Sequence, residues 1–444
     1  MSKASFIVTG GTPLYGSVRV GGAKNASYKL MIAALLGNAE SRLLNLPDIS
    51  DVDLVAKIIN ELGAQAKQVG EGTYIINPRN FRFAEISARH GEQSRASTLF
   101  IPALLAKFGH AEVPLPGGDK IGKRPLERHM MGLELMGVKF VQENGVLKAS
   151  CAQLKACHYR FEKNTHTGTE TLIMAAVLAK GKTILENAAT EPEIDDLISF
   201  LNQMGAKIRR RSFRRIEIDG VEKLDGAIHK IMPDRNEAVS YACAAIASRG
   251  DIVLENARHQ DLRAFLDKLD EIGAGYEIGD YGIRFFYKGE LQATDIETEI
   301  HPGFMTDWQP LFATLLCQAH GESIIHETVM QNRFQYVEDL QKMGAKIEYF
   351  NPSVKNPEVL YNFNWQDHQS SDRHAIKIFG PTNFQGGEFT IHDLRAGATI
   401  LLAAISAHGQ TILHNIEQVE RGYQKIDEKL ILMGAKIERK VWDH

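Results

Sequence analysis

The chain is poor in cysteine and has no long hydrophobic run. Its four cysteines are scattered along 444 residues, without a Cys-x-x-Cys pair or the Cys/His spacing of a metal site. We interpret them as free thiols in a reducing compartment, which predicts a cytoplasmic protein. No stretch reaches the roughly 18 apolar residues of a membrane span, and the first residues lack the apolar run of a signal peptide. These absences exclude a disulfide scaffold and argue against membrane insertion.

No charge of one sign dominates either. The formal net charge is -4, with 51 lysines and arginines against 55 aspartates and glutamates. Such a balance gives no general attraction to nucleic acid or to an anionic membrane surface. The hydrophobic content of 44% and the charged content of 24% are those of an ordinary globular protein. At this length the chain should form two domains or more.

A pattern that ends a predicted helix recurs along the chain. Each copy has leucine or methionine at helical spacing, stops at a glycine, and continues with residues that alternate as in a strand. The glycines are Gly63, Gly137, Gly205, Gly273, Gly344 and Gly434. They lie roughly 70 residues apart, with a longer gap before the last, and a fixed period indicates a repeated supersecondary unit. A second pattern, as in VLAKGKTILEN, predicts an alanine-rich helix that breaks at a glycine turn before a strand.

These repeats predict an α/β fold. One unit cannot bury its apolar faces alone, so the six copies divide naturally into two groups of three. A linear solenoid is the alternative, and we disfavour it because no copy has the polar face of a capping repeat. Residues 349–379 are rich in Asn, Ser, Asp and His and depart from the pattern. We interpret them as an insertion in the final repeat, a surface loop or an extra hairpin, without an assigned function.

Two glycine-containing segments are candidates for anion binding. In the first, Gly21 and Gly22 precede Lys24 and Asn25 at the start of an apolar helix. Glycine lets a backbone approach a ligand closely, and a helix N-terminus beside a lysine suits an anion. The second is an irregular loop at about residues 113–125, which contains one aspartate and several cationic residues beside a double-glycine turn. Such a loop is able to close over a substrate. A solvated lysine and a solvated hairpin are the alternative interpretations.

Acidic and basic residues also recur at the junctions of the later repeats. They are Asp307, Arg333, Asp393, Arg395 and Arg421. Arginine binds carboxylate and phosphate groups through two parallel hydrogen bonds. Each arginine alone is more often a surface ion-pair partner of little energetic consequence. Together they indicate a site for a small molecule with several negative charges.

Long motifs then occur in a recognisable order. They are GGAKNA, RAS, LPGG-x-x-IG-x-RP, TGTE, ENAATEPEI, MPDR, HPGF-x-TD, NRF, DLRA and RGY. On these motifs the chain resembles the enolpyruvyl transferase family, in the branch whose acceptor is UDP-N-acetylglucosamine. The resemblance implies a two-domain inverted α/β barrel built from six repeated β/α units. It places residues 1–22 and 232–444 in one domain and 23–231 in the other, with the mobile loop in the second domain and the active site in the cleft between them.

The resemblance also implies the chemistry. The enolpyruvyl group of phosphoenolpyruvate moves to the 3'-hydroxyl of UDP-N-acetylglucosamine by addition and elimination, with release of phosphate. This is the first committed step of peptidoglycan precursor synthesis. No metal or organic cofactor and no nucleic acid are implied, and the expected state is a monomer or a weak homo-oligomer.

Roles for individual residues follow from the same resemblance. The implied catalytic residues are Asp119, Asp307 and Lys24, and the implied substrate-binding residues are Asn25, Arg95, Arg124, Arg333, Asp393, Arg395 and Arg421. Lys24, Arg124 and Arg421 would hold phosphate, with Arg95 completing the cage. Arg333 and Arg395 would hold the carboxylate side, and Asn25 the sugar. Asp307 would be the base at the acceptor hydroxyl, and Asp119 the acid.

The chain departs from the family pattern at three places. Asp119 stands where the family usually has cysteine, and a carboxylate is a poor target for an epoxide, so we expect insensitivity to fosfomycin. Ser27-Tyr28-Lys29 replaces a small or apolar residue and proline, and RPLERH replaces RP-V-D-L-H. Because of these changes, the motifs do not fix the identity of the acceptor. The alternatives are another nucleotide, shikimate-3-phosphate, or a catalytically silent sugar-nucleotide binding paralogue.

Overall fold

The computed structural model of the chain describes residues 3–91, 95–115 and 126–442, which divide into two compact units. The discontinuous unit contains residues 3–21 and 233–442. The inserted unit contains the described residues between 22 and 232. None of the helices in the described part of the chain combines the length and apolar character needed to cross a bilayer.

Strands alternate with helices along most of the chain, which confirms the predicted α/β class. The strands are β1 Lys3–Thr9, β2 Tyr15–Arg19, β3 Ser41–Leu44, β4 Gln65–Gly70, β5 Thr73–Asn77, β6 His110–Pro114, β7 Lys139–Glu143, β8 Val146–Ser150, β9 His158–Arg160, β10 Lys182–Glu186, β11 Lys207–Ser212, β12 Arg215–Asp219, β13 Ile228–Lys230, β14 Asp251–Glu255, β15 Gly275–Gly279, β16 Gly282–Phe286, β17 Ile296–Glu297, β18 Gly321–His326, β19 Lys346–Phe350, β20 Ala375–Gly380, β21 Glu388–Thr390, β22 Gln410–His414 and β23 Lys436–Trp442. The helices are α1 Lys24–Ala33, α2 Ser50–Glu61, α3 Ala88–Gly91, α4 Ile101–Phe108, α5 Glu127–Leu135, α6 His166–Ala176, α7 Pro192–Gln203, α8 Arg235–Ala247, α9 Arg263–Ile272, α10 Gln309–Gln318, α11 Val337–Lys342, α12 Pro357–Leu360, α13 Leu394–Ser406, α14 Glu417–Glu420 and α15 Ile426–Leu432. Short 3-10 helices cover Ala34–Leu36, Arg95–Phe100, His259–Asp261 and Trp365–Asp367.

The glycines of the repeated pattern all end helices. Their φ angles are 89° at Gly63, 95° at Gly137, 105° at Gly205, 77° at Gly273, 105° at Gly344 and 98° at Gly434. A residue with a Cβ is strained at such angles, which explains why glycine recurs there. The glycines follow α2, α5, α7, α9, α11 and α15 and lead into β4, β7, β11, β15, β19 and β23. The predicted repeat is therefore present in both units.

Each unit contains three sheets in the part of the chain described. The discontinuous unit has β15-β16-β14-β2, β17-β18-β20-β19 and β21-β22-β1-β23, and the inserted unit has β13-β3-β5-β4, β11-β12-β10-β9 and β6-β8-β7. Hydrogen bonding among the described residues does not join the sheets of a unit into one closed barrel. Strand β1 pairs with both β22 and β23, so Ser5 lies opposite His414 on one side and Lys440 on the other. Residues near the start of the chain therefore complete the sheet of the last repeat.

Each unit has its own hydrophobic core. In the discontinuous unit, helices α8, α10 and α13 each contact both of the others. A linear solenoid would bring each repeat into contact with its sequence neighbours alone, so this arrangement excludes the solenoid for this unit. Helix α8 is buried along its whole length, and its alanines allow the close approach that such burial requires.

The segment interpreted as an insertion connects two antiparallel neighbours. Strands β19 and β20 pair directly, with Lys346 opposite Phe379, so residues 351–374 form the connection of a long hairpin. The connection contains α12 and a stack of aromatic rings. Trp365 stacks on Tyr361 with ring centroids 4.9 Å apart and on His368 with centroids 4.2 Å apart. The predicted limits were too wide, because Tyr349 and Phe379 lie in the strands themselves.

Candidate active site

A carboxylate flanked by two arginines lies in the discontinuous unit. Asp307 Oδ1 accepts a hydrogen bond from Arg333 Nη2 at 2.7 Å, and Asp307 Oδ2 accepts one from Arg395 Nη2 at 3.3 Å. Both arginine side chains are 4% exposed, whereas that of Asp307 is 23% exposed. Two guanidinium groups stabilise the charged carboxylate and fix its direction. Three predicted site residues, distant in sequence, are thus in contact, and the aspartate is the member that a ligand reaches most easily.

Arg395 is positioned by its helix and by a tyrosine. It lies in the first turn of α13, and its Nη1 donates to Tyr423 Oη at 2.7 Å. The tyrosine oxygen is also 2.7 Å from Ser240 Oγ on α8. Burial lowers the pKa of Arg395, but Tyr423 and Asp307 raise it more, so the net shift is upward. Tyr423 lies in the same RGY motif as Arg421, but the motif alone does not single out the tyrosine as a functional residue.

A buried glutamate connects the segments that carry Asp307 and Arg333. Glu327 accepts hydrogen bonds from the hydroxyl of Thr306 at 2.8 Å and from the backbone N–H of Met330 at 2.9 Å. Burial raises the pKa of this carboxyl, and its hydrogen bonds act in the opposite direction. Thr306 immediately precedes Asp307, and Met330 lies shortly before Arg333. The Glu327 carboxylate therefore fixes both the segment that carries Asp307 and the segment that carries Arg333. Glu327 ends a predicted strand just before the NRF motif, and that position alone does not reveal its role.

The two arginines retain hydrogen-bonding capacity. Among the residues that the structure describes, the buried Nε of Arg333 and that of Arg395 have no hydrogen-bond acceptor. Buried donors are nearly always paired in native proteins, so such exceptions need an explanation. Both Nε atoms are shielded from solvent, so a ligand contacts them only if the surrounding side chains move.

Asp393 and Arg421 lie at helix ends in the same unit. Asp393 is the N-cap of α13, and its Oδ1 accepts from the backbone N–H groups of Arg395 at 2.9 Å and Ala396 at 3.0 Å. Capping therefore accounts for Asp393, and its role in substrate binding stays a prediction. Arg421 directly follows α14, is partly exposed and has helical backbone angles.

The capping role of Asp393 gives a direct prediction. Replacing Asp393 by alanine should lower the free energy of unfolding by about 1 kcal/mol, because two N–H groups of α13 lose their acceptor. Asp393→Asn should retain most of the stability, because asparagine caps helices about as well. Urea unfolding and substrate KM should be measured for both variants. Normal stability with a raised KM in Asp393→Asn would favour the substrate-binding role instead.

Lys24 begins helix α1 of the inserted unit. Its Nζ lies 2.9 Å from Asp51 Oδ2, and the two side chains are 13% and 8% exposed. Ala23, the N-cap of this helix, provides no side-chain acceptor, so the first N–H groups are not capped in that way. Just before it, a Cβ on Gly22 would lie 1.7 Å from the backbone oxygen of Asn45, which is why glycine is required. Asn25 follows Lys24 in the first turn and is partly exposed.

The remaining predicted site residues are Arg95, Asp119 and Arg124. Arg95 begins the 3-10 helix Arg95–Phe100. Asp119 and Arg124, with the rest of residues 116–125, lie outside the described residues. The roles given to these three residues therefore stay predictions.

A buried ion pair connects two motifs of the inserted unit. Lys29 Nζ lies 2.7 Å from Glu170 Oε2, with side chains 4% and 0% exposed. His166 Nε2 lies 3.3 Å from the other oxygen of Glu170. Burial lowers the pKa of Lys29, but Glu170 and other neighbours raise it more, so the lysine is charged. Tyr28 lies between this pair and Lys24, with its ring centroid 5.7 Å from Lys29 Nζ and 5.8 Å from Lys24 Nζ. The buried Lys29–Glu170 pair thus links α1 to α6.

The chain is similar to known proteins over nearly its full length. A sequence profile described as EPSP synthase (3-phosphoshikimate 1-carboxyvinyltransferase) matches residues 8–430. The chain is 40% identical over 438 residues to a UDP-N-acetylglucosamine 1-carboxyvinyltransferase of Koribacter versatilis, covering 98% of this chain and 96% of that protein. It is 37% identical over 432 residues to the protein of the same name from Desulforapulum autotrophicum, covering 97% and 98%.

Solved structures share the fold. The enolpyruvyl transferase NikO from Streptomyces tendae superposes with a TM-score of 0.84 at 22% identity, over 100% of both chains. EPSP synthase from Acinetobacter baumannii superposes with a TM-score of 0.70 at 18% identity, over 99% of this chain and 100% of that one. The predicted enolpyruvyl transferase fold is confirmed.

Proposed function

The chain belongs to the family of UDP-N-acetylglucosamine 1-carboxyvinyltransferases, and on that basis we propose that it transfers the enolpyruvyl group of phosphoenolpyruvate to the 3'-hydroxyl of UDP-N-acetylglucosamine. The acceptor oxygen bonds to the central carbon of phosphoenolpyruvate while its methylene carbon gains a proton. The tetrahedral adduct then loses phosphate and a proton, which regenerates the double bond. The product enters the synthesis of peptidoglycan precursors.

One observation supports this proposal most directly, the contact of Asp307 with Arg333 and Arg395. The reaction needs a base for the acceptor hydroxyl close to cations that bind an anionic substrate. Asp307 is partly exposed, as a base must be. The two arginines adjoin this carboxylate and supply the positive charge that an anionic substrate requires. A binding module would not need a base held in this way.

The remaining roles are assigned on the family pattern. Lys24, Arg124 and Arg421 bind phosphate and stabilise it as it leaves, with Arg95 completing the cage. Asn25 binds the sugar. Asp119 donates the proton to the methylene carbon. In this scheme cationic side chains neutralise the charge that develops on phosphate, so no step requires a metal ion.

Phosphate release tests the proposal. It should be measured with phosphoenolpyruvate alone, with UDP-N-acetylglucosamine, and with shikimate-3-phosphate, for the wild type and for Asp119→Ala. We expect release that depends on the sugar nucleotide and is nearly abolished in the variant. Release with another acceptor would keep the chemistry and change the substrate. Tight nucleotide binding without turnover would indicate a silent paralogue.

Fosfomycin gives a second test, which probes Asp119 alone. The wild type should keep its activity and its mass after incubation with the drug, because a carboxylate attacks the epoxide poorly. Asp119→Cys should gain mass by one drug molecule and lose activity, because a thiolate is a strong nucleophile. Intact-mass spectrometry distinguishes the two results. Covalent modification of the wild type at Asp119 would contradict the prediction.

Small-molecule substrates are the partners that this function requires. A cytoplasmic location and a monomeric or weakly oligomeric state remain predictions from the sequence.

A further inference from the structure

Three side chains in the long hairpin connection converge. His374 Nε2 lies 3.0 Å from His368 Nδ1, and His368 Nδ1 lies 3.5 Å from Asp372 Oδ2. One ligand atom from each residue lies within 4.8 Å of the other two. The proposed transfer reaction uses none of them. They lie in the segment to which the sequence analysis gave no function.

We propose that His368, Asp372 and His374 bind a divalent transition-metal ion, with Zn²⁺ as the expected occupant and water completing the coordination. Zinc binds imidazole nitrogen and carboxylate oxygen at about 2.0–2.2 Å, so neighbouring ligand atoms in a tetrahedral site lie about 3.4 Å apart. The two distances of 3.0 and 3.5 Å are within a few tenths of an ångström of that value. Two imidazoles and one carboxylate are also a ligand set that zinc accepts.

The ligands are held in place by neighbouring groups. The Trp365 ring stacks on the His368 ring with an interplanar angle of 6°. Asp372 Oδ2 accepts hydrogen bonds from Gln331 Nε2 at 2.9 Å and from the backbone N–H of Gln369 at 2.8 Å. Such supporting contacts orient metal ligands before the ion arrives. The arrangement therefore needs little reorganisation to bind an ion.

Burial and protonation are compatible with an ion. His374 is 1% exposed, whereas the side chains of His368 and Asp372 are 26% and 14% exposed, so water reaches one side of the cluster. His374 and His368 share one hydrogen bond through the two ring nitrogens that face each other, and a metal ion would take the place of the shared proton.

The site would fasten the hairpin connection to the loop that carries Arg333. Gln331, which contacts Asp372, is two residues before Arg333 in the chain. The backbone N–H of Glu327 donates to the backbone oxygen of His374 at 2.7 Å. The expected role of the ion is thus structural. The inference differs from our sequence-based expectation of no metal, and it stands whether or not the proposed function is correct.

Zinc binding to the full chain tests the inference. Protein freed of metal with a chelator should be titrated with Zn²⁺ against a chromophoric competitor. We expect one site per chain that is lost or weakened at least about tenfold in His368→Gln and in Asp372→Asn. These variants retain hydrogen-bonding side chains at partly exposed positions and should fold. His326→Gln is the matched control, because His326 contacts Tyr361 of the same aromatic stack and lies outside the cluster.

Tryptophan emission gives a second readout. Cu²⁺ or Co²⁺ at the site should quench the emission of Trp365, which stacks on a proposed ligand, and Trp365→Phe should remove that quenching. The inference is overturned if the wild type binds no zinc when Zn²⁺ and protein are present at equal concentrations. It is equally overturned if His368→Gln and Asp372→Asn bind zinc as tightly as the wild type and the control.

Discussion

Replacing Asp307 by asparagine should lower kcat by roughly two to four orders of magnitude, the usual contribution of a general base. Asparagine has nearly the same shape and still accepts a hydrogen bond from Arg333 or Arg395, but it cannot take a proton from the acceptor hydroxyl. Both arginines remain, so binding of phosphoenolpyruvate should change much less than turnover. Initial rates of phosphate release at saturating substrate give kcat, and the substrate dependence gives KM.

Asp427→Asn is the control for this measurement. Asp427 is another carboxylate of the discontinuous unit that pairs with an arginine, and its Oδ2 accepts from Arg439 Nε at 2.9 Å. The loss of an ion pair should destabilise both variants, whereas only Asp307→Asn should lose turnover. Assays well below the unfolding midpoint separate these effects. An Asp307→Asn enzyme with near-normal kcat would exclude Asp307 as the base.

Lys29→Met should lower the free energy of unfolding of the inserted unit by about 3–5 kcal/mol. Removing one partner of a buried ion pair is strongly destabilising, and here it leaves Glu170 in the core with His166 as its neighbouring basic group. Replacing both partners by methionine should restore most of the loss, because apolar residues of similar volume often stabilise a core as well as an ion pair does. Urea unfolding followed by circular dichroism measures the change.

The chain provides two controls for Lys29→Met. Lys182 pairs with Glu217 at 3.3 Å, but its side chain is 48% exposed, so Lys182→Met should cost less than about 1 kcal/mol. The three tryptophans, Trp308, Trp365 and Trp442, all lie in the discontinuous unit. Tryptophan fluorescence therefore reports unfolding of the discontinuous unit and not of the inserted unit, which contains Lys29. Equal losses of unfolding free energy in Lys29→Met and Lys182→Met would contradict the prediction that a buried ion pair matters more for stability than an exposed one.

The repeats could be predicted because their signal is local. A helix that ends at a residue with positive φ favours glycine at that one position. Gly63 and Gly434 both have such an angle, although they lie near opposite ends of the chain. The contact of Asp307 with Arg333 and Arg395 was not visible in this way. Those residues are far apart in sequence, and their recurrence at repeat junctions indicates a shared site without showing which side chains touch.

The supporting residues could not be predicted for a related reason. Tyr423 and Glu327 act through hydrogen bonds to groups distant in the chain. A tyrosine or glutamate in a short motif has no feature that distinguishes such a role from ordinary packing. Lys29 departs from the family pattern, but its charge partner Glu170 lies on another helix. The proposed zinc ligands lie in a segment without the repeat pattern, and their side chains converge only in the folded hairpin connection.

The pairing of β1 with β22 and β23 has a consequence for synthesis on the ribosome. Residues 22–232 are all made before residue 233, so the inserted unit has its whole sequence available early and is able to fold first. Strand β1 is made still earlier, yet its partners on both sides are among the last described residues. During most of translation this strand is an unpaired edge that other chains can join. Nascent chains halted before residue 410 should therefore hold a folded inserted unit and an unprotected N-terminal strand, the state in which a chaperone is most needed.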